Sequence, residues 1–213
     1  MAVAATGFFD GVHLGHRAVI ETLLKTARER SEQSLILTFW PHPRTILRGG
    51  SRDLRLLTSL EEKRAMLLAL GVDRVEVLPF TRDFAALTAR EYLEMLRRDY
   101  GVTSIVLGYD NRFGSDGLST EEIIALCRSL GIEVSIPRVA QICWGESASP
   151  DYISSTKIRK TLSAGDVKSA AEMLGYEYSL SGVVVSGNMM GRTIGFPTAN
   201  MKLREPLKFL PKV

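Results

Sequence analysis

GFFDGVHLGH, residues 7–16, follows the first apolar run of the chain and carries two of its three histidines, His13 and His16. Before it lies AVAAT (2–6), short and wholly uncharged. After it, HRAVIETLLKTARER (16–30) spaces Val19, Leu23, Leu24 and Ala27 along one helical face. A glycine-rich turn between a buried strand and a helix is how a parallel α/β sheet begins. In open sheets of that kind, ligands bind beyond the carboxyl ends of the strands. Glycines let the backbone approach a ligand closely. The helix start offers free N–H groups and the positive end of a dipole, and so favours an anion. His13 and His16 add donors suited to phosphate oxygens. The turn is not a P-loop, because GxxxxGK[ST] is absent.

Further along the chain the same alternation repeats. SLILTF (34–39), RVEVLPF (74–80), SIVLG (104–108) and EVSIP (133–137) read as strands, apolar enough to be covered on both faces. Ser59 with Glu62, Thr88 with Glu91, and Ser119 with Glu122 are capping-box pairs opening the intervening helices. Gly71 and Gly131 stand just past helix ends. The pattern predicts a doubly wound parallel α/β sheet. Beyond Gly175 it changes. YSLSGVVVS (178–186) alternates like an antiparallel strand, and GNMMGRTIGFPTAN (187–200) packs three glycines and a proline into a loop with no helix after it. An all-β module is expected to begin there.

Bulk composition excludes several classes. A net charge of +3 over 213 residues makes no case for a nucleic-acid binder. No apolar run approaches the roughly 20 residues that cross a bilayer. Cys127 and Cys143 form no CxxC pair, which suits a reducing, cytoplasmic setting. The amino terminus lacks a signal-peptide pattern. On spacing alone, two histidines in a turn also serve as surface or capping residues. A metal reading stays open as well, since His42 in WPHPR follows the second strand, although a structural zinc site wants four ligands.

The longer string resembles the HxGH signature of the nucleotidyltransferases, here His13-Leu14-Gly15-His16, in the FDGVHxGH form of prokaryotic FAD synthetases. LTFWPHPR (37–44), GYDNRFG (108–114), ISSTKIRKTL (153–162) and GRTIGFPTAN (191–200) continue the resemblance in order; the last is similar to the riboflavin kinase signature. The resemblance implies a Rossmann-like adenylyltransferase domain over residues 1–177 and a fragment of a riboflavin kinase β-barrel over 178–213. It implies ATP and FMN as substrates, riboflavin for the second module, and Mg²⁺.

By the same resemblance, His13, His16 and Arg159 act on the ATP phosphates. Gly7, Phe8, Asp10, Gly15, Ser154, Ser155 and Thr156 build the nucleotide site. His42, Arg44, Asp110 and Asn111 lie toward the flavin, and Asn111 stands where the family usually carries an aromatic residue. Thr198 and Asn200 are the kinase-type Mg²⁺ ligands. Only thirteen residues follow Asn200, so riboflavin phosphorylation is not expected of this chain. Residues 178–213 are expected to dock on the first domain, pair with another copy, or stay poorly ordered. Two other readings stay open: a related nucleotidyltransferase with another phosphorylated acceptor, and a non-catalytic flavin or nucleotide binder.

Overall fold

The five apolar runs form five parallel strands. The computed structural model describes residues 1–47, 54–108, 113–137, 153–187 and 190–211. The chain runs β1 (Ala2–Thr6), α1 (Leu14–Arg30), β2 (Gln33–Trp40), α2 (Pro43–Leu47), α3 (Leu60–Ala69) and β3 (Arg74–Pro79). It continues with α4 (Arg82–Ala86), α5 (Ala89–Tyr100), β4 (Val102–Val106), α6 (Thr120–Ser129) and β5 (Glu133–Ser135). Then come α7 (Ser155–Ser163), α8 (Val167–Leu174), β6 (Gly182–Val185), α9 (Met190–Thr193) and β7 (Asn200–Leu203).

The sheet order is β3-β2-β1-β4-β5, all parallel. The chain builds outward from β1 to β3 and then returns to the far side of β1. This places the topological switch between β1 and β4, where a crevice opens at the strands' carboxyl ends. Alternation along β1 explains why it is apolar throughout. Ala2 and Ala4 face Leu93, Leu96 and Ile123 of α5 and α6, whereas Val3 and Ala5 face Ile20, Leu23 and Leu67 of α1 and α3. Both faces are therefore dry.

All three capping boxes form, with both reciprocal hydrogen bonds. Gly71 and Gly131 take positive φ just after their helices, where a side chain would be strained. Helix α1 begins two residues earlier than its apolar spacing suggests, because His13 caps it. Its buried face is Ile20, Leu23 and Ala27; Val19 and Leu24 are only partly covered.

Past residue 153 the structure departs from the expectation in two ways. The strand expected over 178–186 shortens to β6. Tyr178 is drawn instead into a third apolar cluster with Leu57, Ile158, Leu162, Met173 and Phe209, and its hydroxyl donates to the Phe209 carbonyl at 2.7 Å. The glycine-rich loop also contains one helical turn, α9, closed by Thr193 Oγ1 donating to Met190 O and Phe196 N–H donating to Gly191 O, each at 2.7 Å. β6 and β7 form an antiparallel ribbon whose Val183, Val184 and Met201 are exposed.

Of the three outcomes open for residues 178–213, docking is realised by Leu207–Phe209. Leu56 N–H donates to Leu207 O, and Phe209 N–H donates to Leu56 O, both at 2.7 Å. Lys208 Nζ lies 2.5 Å from Glu62 Oε2.

Candidate active site

Residues 7–13 leave β1 at the switch point through a strained turn. Phe9, Gly11 and Val12 all have positive φ, at 54°, 81° and 38°. Such conformations cost of order 1–3 kcal/mol each for residues other than glycine, and persist only when surroundings over-determine them. Here they do. Gly11 N–H donates to Thr58 Oγ1 at 3.1 Å, and Tyr176 OH donates to Gly11 O at 2.7 Å. A Cβ on Gly11 would meet Leu57 Cδ1 at 2.7 Å.

Asp10 is the centre of this bracing. Buried at 5% exposure, it accepts from Leu57 N–H at 2.8 Å, Thr58 N–H at 3.3 Å and Arg159 Nη1 at 2.6 Å. Burial pushes its carboxyl up, opposed by Arg159 and the two N–H groups. Three donors and no acceptor around its oxygens select the carboxylate.

The two histidine rings stack at 3.6 Å between centroids. His13 Nδ1 accepts from His16 N–H at 3.4 Å, which caps α1. A Cβ on Gly15 would come within 3.2 Å of the His13 ring, so any larger residue there would press on the stack. Burial, aided by Arg159, lowers His13 to about 4. Burial and the neighbouring His13 and Lys63 hold His16 well below its ordinary value. Both imidazoles are thus neutral at pH 7, each carrying one N–H donor. His16 Nδ1 is enclosed without a hydrogen-bond partner.

A cleft of about 450 Å³ opens beside this loop. Thr6 to Asp10, His16, His42, Arg44, Ser155, Thr156 and Arg159 line it. Helix α7 points its amino terminus there: Ser154 caps it, Ser155 Oγ donates to Asp10 O at 2.9 Å, and Arg159 Nη2 donates to Thr156 Oγ1 at 3.3 Å. His42 leans on the Phe8 ring at 4.2 Å and accepts from Arg44 N–H at 3.0 Å. Burial, with Arg44, lowers His42 to about 4.

The sequence-derived set is therefore largely gathered, with exceptions. His13, Gly15 and Ser154 support the wall without lining it. Thr198, in the loop before β7, and Asn200, the first residue of β7, are exposed. Asp110, Asn111 and Cys143 lie outside the described residues. Among the described residues no group of three or more His, Cys, Asp or Glu could hold a metal ion.

A second pocket of about 270 Å³ abuts the first, sharing Phe39 and Pro43. Phe80, Phe84, Leu87, Tyr92 and Phe113 form its other walls, with ring centroids 5.5–5.8 Å apart from Phe39 through Phe84 and Tyr92 to Phe113. Sequence reasoning missed these residues. The available signals were Phe80 and Phe84 clustered after β3. Thr6 and Thr38, polar residues inside apolar strands, were likewise overlooked.

With β1 feeding an HxGH loop into a helix at the switch point, the parallel domain has the architecture of the HxGH nucleotidyltransferases. Comparison with known proteins narrows this class. The FAD synthetase family model matches residues 1–156 and the riboflavin kinase model matches residues 174–212. The chain belongs to the FAD synthetase family. The bifunctional riboflavin kinase/FMN adenylyltransferase of Listeria monocytogenes is 37% identical over 211 residues, which cover 99% of this chain and 65% of the relative. The Escherichia coli protein of the same name is 37% identical over 205 residues, covering 95% of this chain and 63% of the relative. The chain thus spans just under two thirds of those relatives. A crystal structure described as a macrolide-efflux protein from Streptococcus pneumoniae matches with a TM-score of 0.84 and 32% identity, over 99% of this chain and 66% of that one. Among the described residues no helix is long and apolar enough to cross a membrane.

Proposed function

We propose that this chain transfers the adenylyl group of ATP to FMN, giving FAD and pyrophosphate. The observation that carries the reading is the junction of the two pockets. A polar cleft with an arginine, a helix amino terminus and a histidine suits phosphates, and it runs through Phe39 and Pro43 into an aromatic-walled pocket suited to a flat ring system. A flavin bearing a 5′-phosphate has both parts.

In this reading an FMN phosphate oxygen attacks the α-phosphorus of ATP, the bond to the β-phosphate breaks, and pyrophosphate leaves. The nucleophile is already ionised at neutral pH, so no general base is needed. Catalysis rests on positioning and on donors that meet the charge as it moves. Neutral His16 supplies an N–H, Arg159 a permanent cation, and α1 and α7 their amino termini. His13 caps α1 and keeps the His16 ring in place.

The same reading divides the chain into residues 1–177 and 178–213. Within the second part, Thr198 and Asn200 offer a hydroxyl and an amide oxygen, hard donors that fit Mg²⁺. There the ion would neutralise nucleotide phosphate charge. Incubation with FMN, ATP and Mg²⁺ tests the adenylyl reading directly. FAD and pyrophosphate in equal amounts are expected; nucleotide or flavin binding without either product would overturn it.

A further inference from the structure

Lys63 lies on α3 four residues before Leu67, and both face inward. It is 2% exposed. Its Nζ donates to the Phe8 carbonyl at 2.7 Å and to Thr38 Oγ1 at 2.9 Å, and stands 3.8 Å from the centroid of the Phe8 ring. Asp10, the carboxylate that favours its charge, is already taken up by Arg159 and the N–H groups of Leu57 and Thr58. The ammonium therefore sits in the interior with neutral contacts.

A buried cation in this state is unfavourable to folding. Hydrogen-bond satisfaction does not require it either, because Thr38 Oγ1 also donates to the Phe8 carbonyl, at 3.1 Å. What its charge does face is the cleft. Phe8 lines that cleft, and the groups whose ionisation feels Lys63 are Asp10 on the loop, His16 on α1 and His42 after β2, all lining residues. Arg44 from α2 and Arg159 from α7 complete the charged wall. None of these five is a free anion that Lys63 could serve. An arriving polyphosphate is one.

We infer that Lys63 is a positioning residue for the nucleotide: a fixed positive charge enclosed beneath the Phe8 turn, which holds that turn and draws polyphosphate into the cleft without touching it. The inference rests on the nucleotide-binding part of the proposed function and does not involve FMN. Burial lowers the Lys63 ammonium to about 8. It is charged below that pH and neutral above, so its attraction for ATP is lost as pH rises through 8. A bound polyanion favours the ammonium and moves the loss upward.

Calorimetric titration of Mg²⁺-ATP into the full chain at pH 7 and pH 9 tests this, with Lys63→Met and Lys63→Arg and a melting temperature for each. At pH 7, Lys63→Met is expected to weaken ATP about tenfold with an equal or higher melting temperature, since an apolar side chain replaces a buried charge. Between pH 7 and pH 9 the wild type weakens, Lys63→Met changes little, and Lys63→Arg keeps its affinity because guanidinium does not titrate there. Should Lys63→Met fail to fold, the comparison of Lys63→Arg with wild type at pH 9 decides alone. Unchanged ATP affinity in Lys63→Met, or one pH dependence shared by all three proteins, would overturn the inference. FAD formation by the wild type, measured separately, reports only on the acceptor and the reaction.

Discussion

Arg159 reaches back across 149 residues of sequence to place Nη1 2.6 Å from Asp10 Oδ2. This one ion pair joins the loop after β1 to the start of α7, and both elements line the same cleft. Asp10 also holds the Leu57 and Thr58 N–H groups, so three separate segments depend on it. Asp10→Asn would turn an amide N–H toward the guanidinium. It should cost about 2–3 kcal/mol, less than a fully enclosed pair because Arg159 keeps some solvent contact. Urea unfolding measures this, and FAD formation should fall in parallel.

His16→Ala should lower the rate constant for FAD formation roughly 10²-fold, the loss typical of a donor that meets developing charge. His13→Ala should act differently. It removes the cap of α1, costing about 1 kcal/mol of stability, and frees the His16 ring. His13→Asn retains a capping oxygen and should recover stability more than activity. Activity that is indifferent to His16→Ala would remove this residue from the mechanism.

The histidines also set a pH dependence. His13 titrates at about 4 in the fold and near 6.5 when unfolded. Between those values the unfolded chain binds more protons, so stability rises with pH there. The contribution is fully present above pH 6.5 and is lost as pH falls toward 4. From this shift alone the loss is about 3 kcal/mol, and His42, lowered to a similar value, acts in the same direction. Denaturant midpoints at pH 7 and pH 5 should separate clearly, and His13→Asn should narrow the gap.

Phe84 touches Phe39, Phe80 and Tyr92 at ring distances of 5.6–5.8 Å. If the aromatic pocket holds the flavin, Phe84→Ala should raise the KM for FMN about tenfold and leave that for ATP nearly unchanged. Equal effects on both substrates would place the flavin ring elsewhere.

Glu62 serves three partners at once. Its Oε2 accepts from Ser59 N–H in the capping box and from Lys208 Nζ, and its Oε1 accepts from Ser181 Oγ at 3.1 Å. Glu62→Ala should therefore destabilise the chain by about 2–4 kcal/mol, more than an ordinary cap loss, because it strands the buried Lys208 ammonium. Lys208→Met in the same background should recover part of that loss, as measured by thermal melting.

Local information in the chain was enough for the parallel sheet. Strand runs, capping boxes and terminal glycines depend on residues within four positions of one another, and all were legible. So was the HxGH turn, since a glycine-rich break between a strand and a helix is itself a local pattern. Tertiary structure alone decided three things. Asp10 is a brace because Leu57, Thr58 and Arg159 converge on it from distant segments. The histidines are neutral because other elements bury them, and burial has no sequence period. Phe39, Phe84, Tyr92 and Phe113 become one pocket wall because β2, α4, α5 and the segment after β4 meet at one edge of the sheet. Lys63 shows the limit most clearly. In the string LEEKRAMLLA it is one more helix lysine. Packing of α3 against the sheet carries its charge beneath Phe8, where desolvation and the nearby cleft give it an effect that no neighbour in sequence could supply.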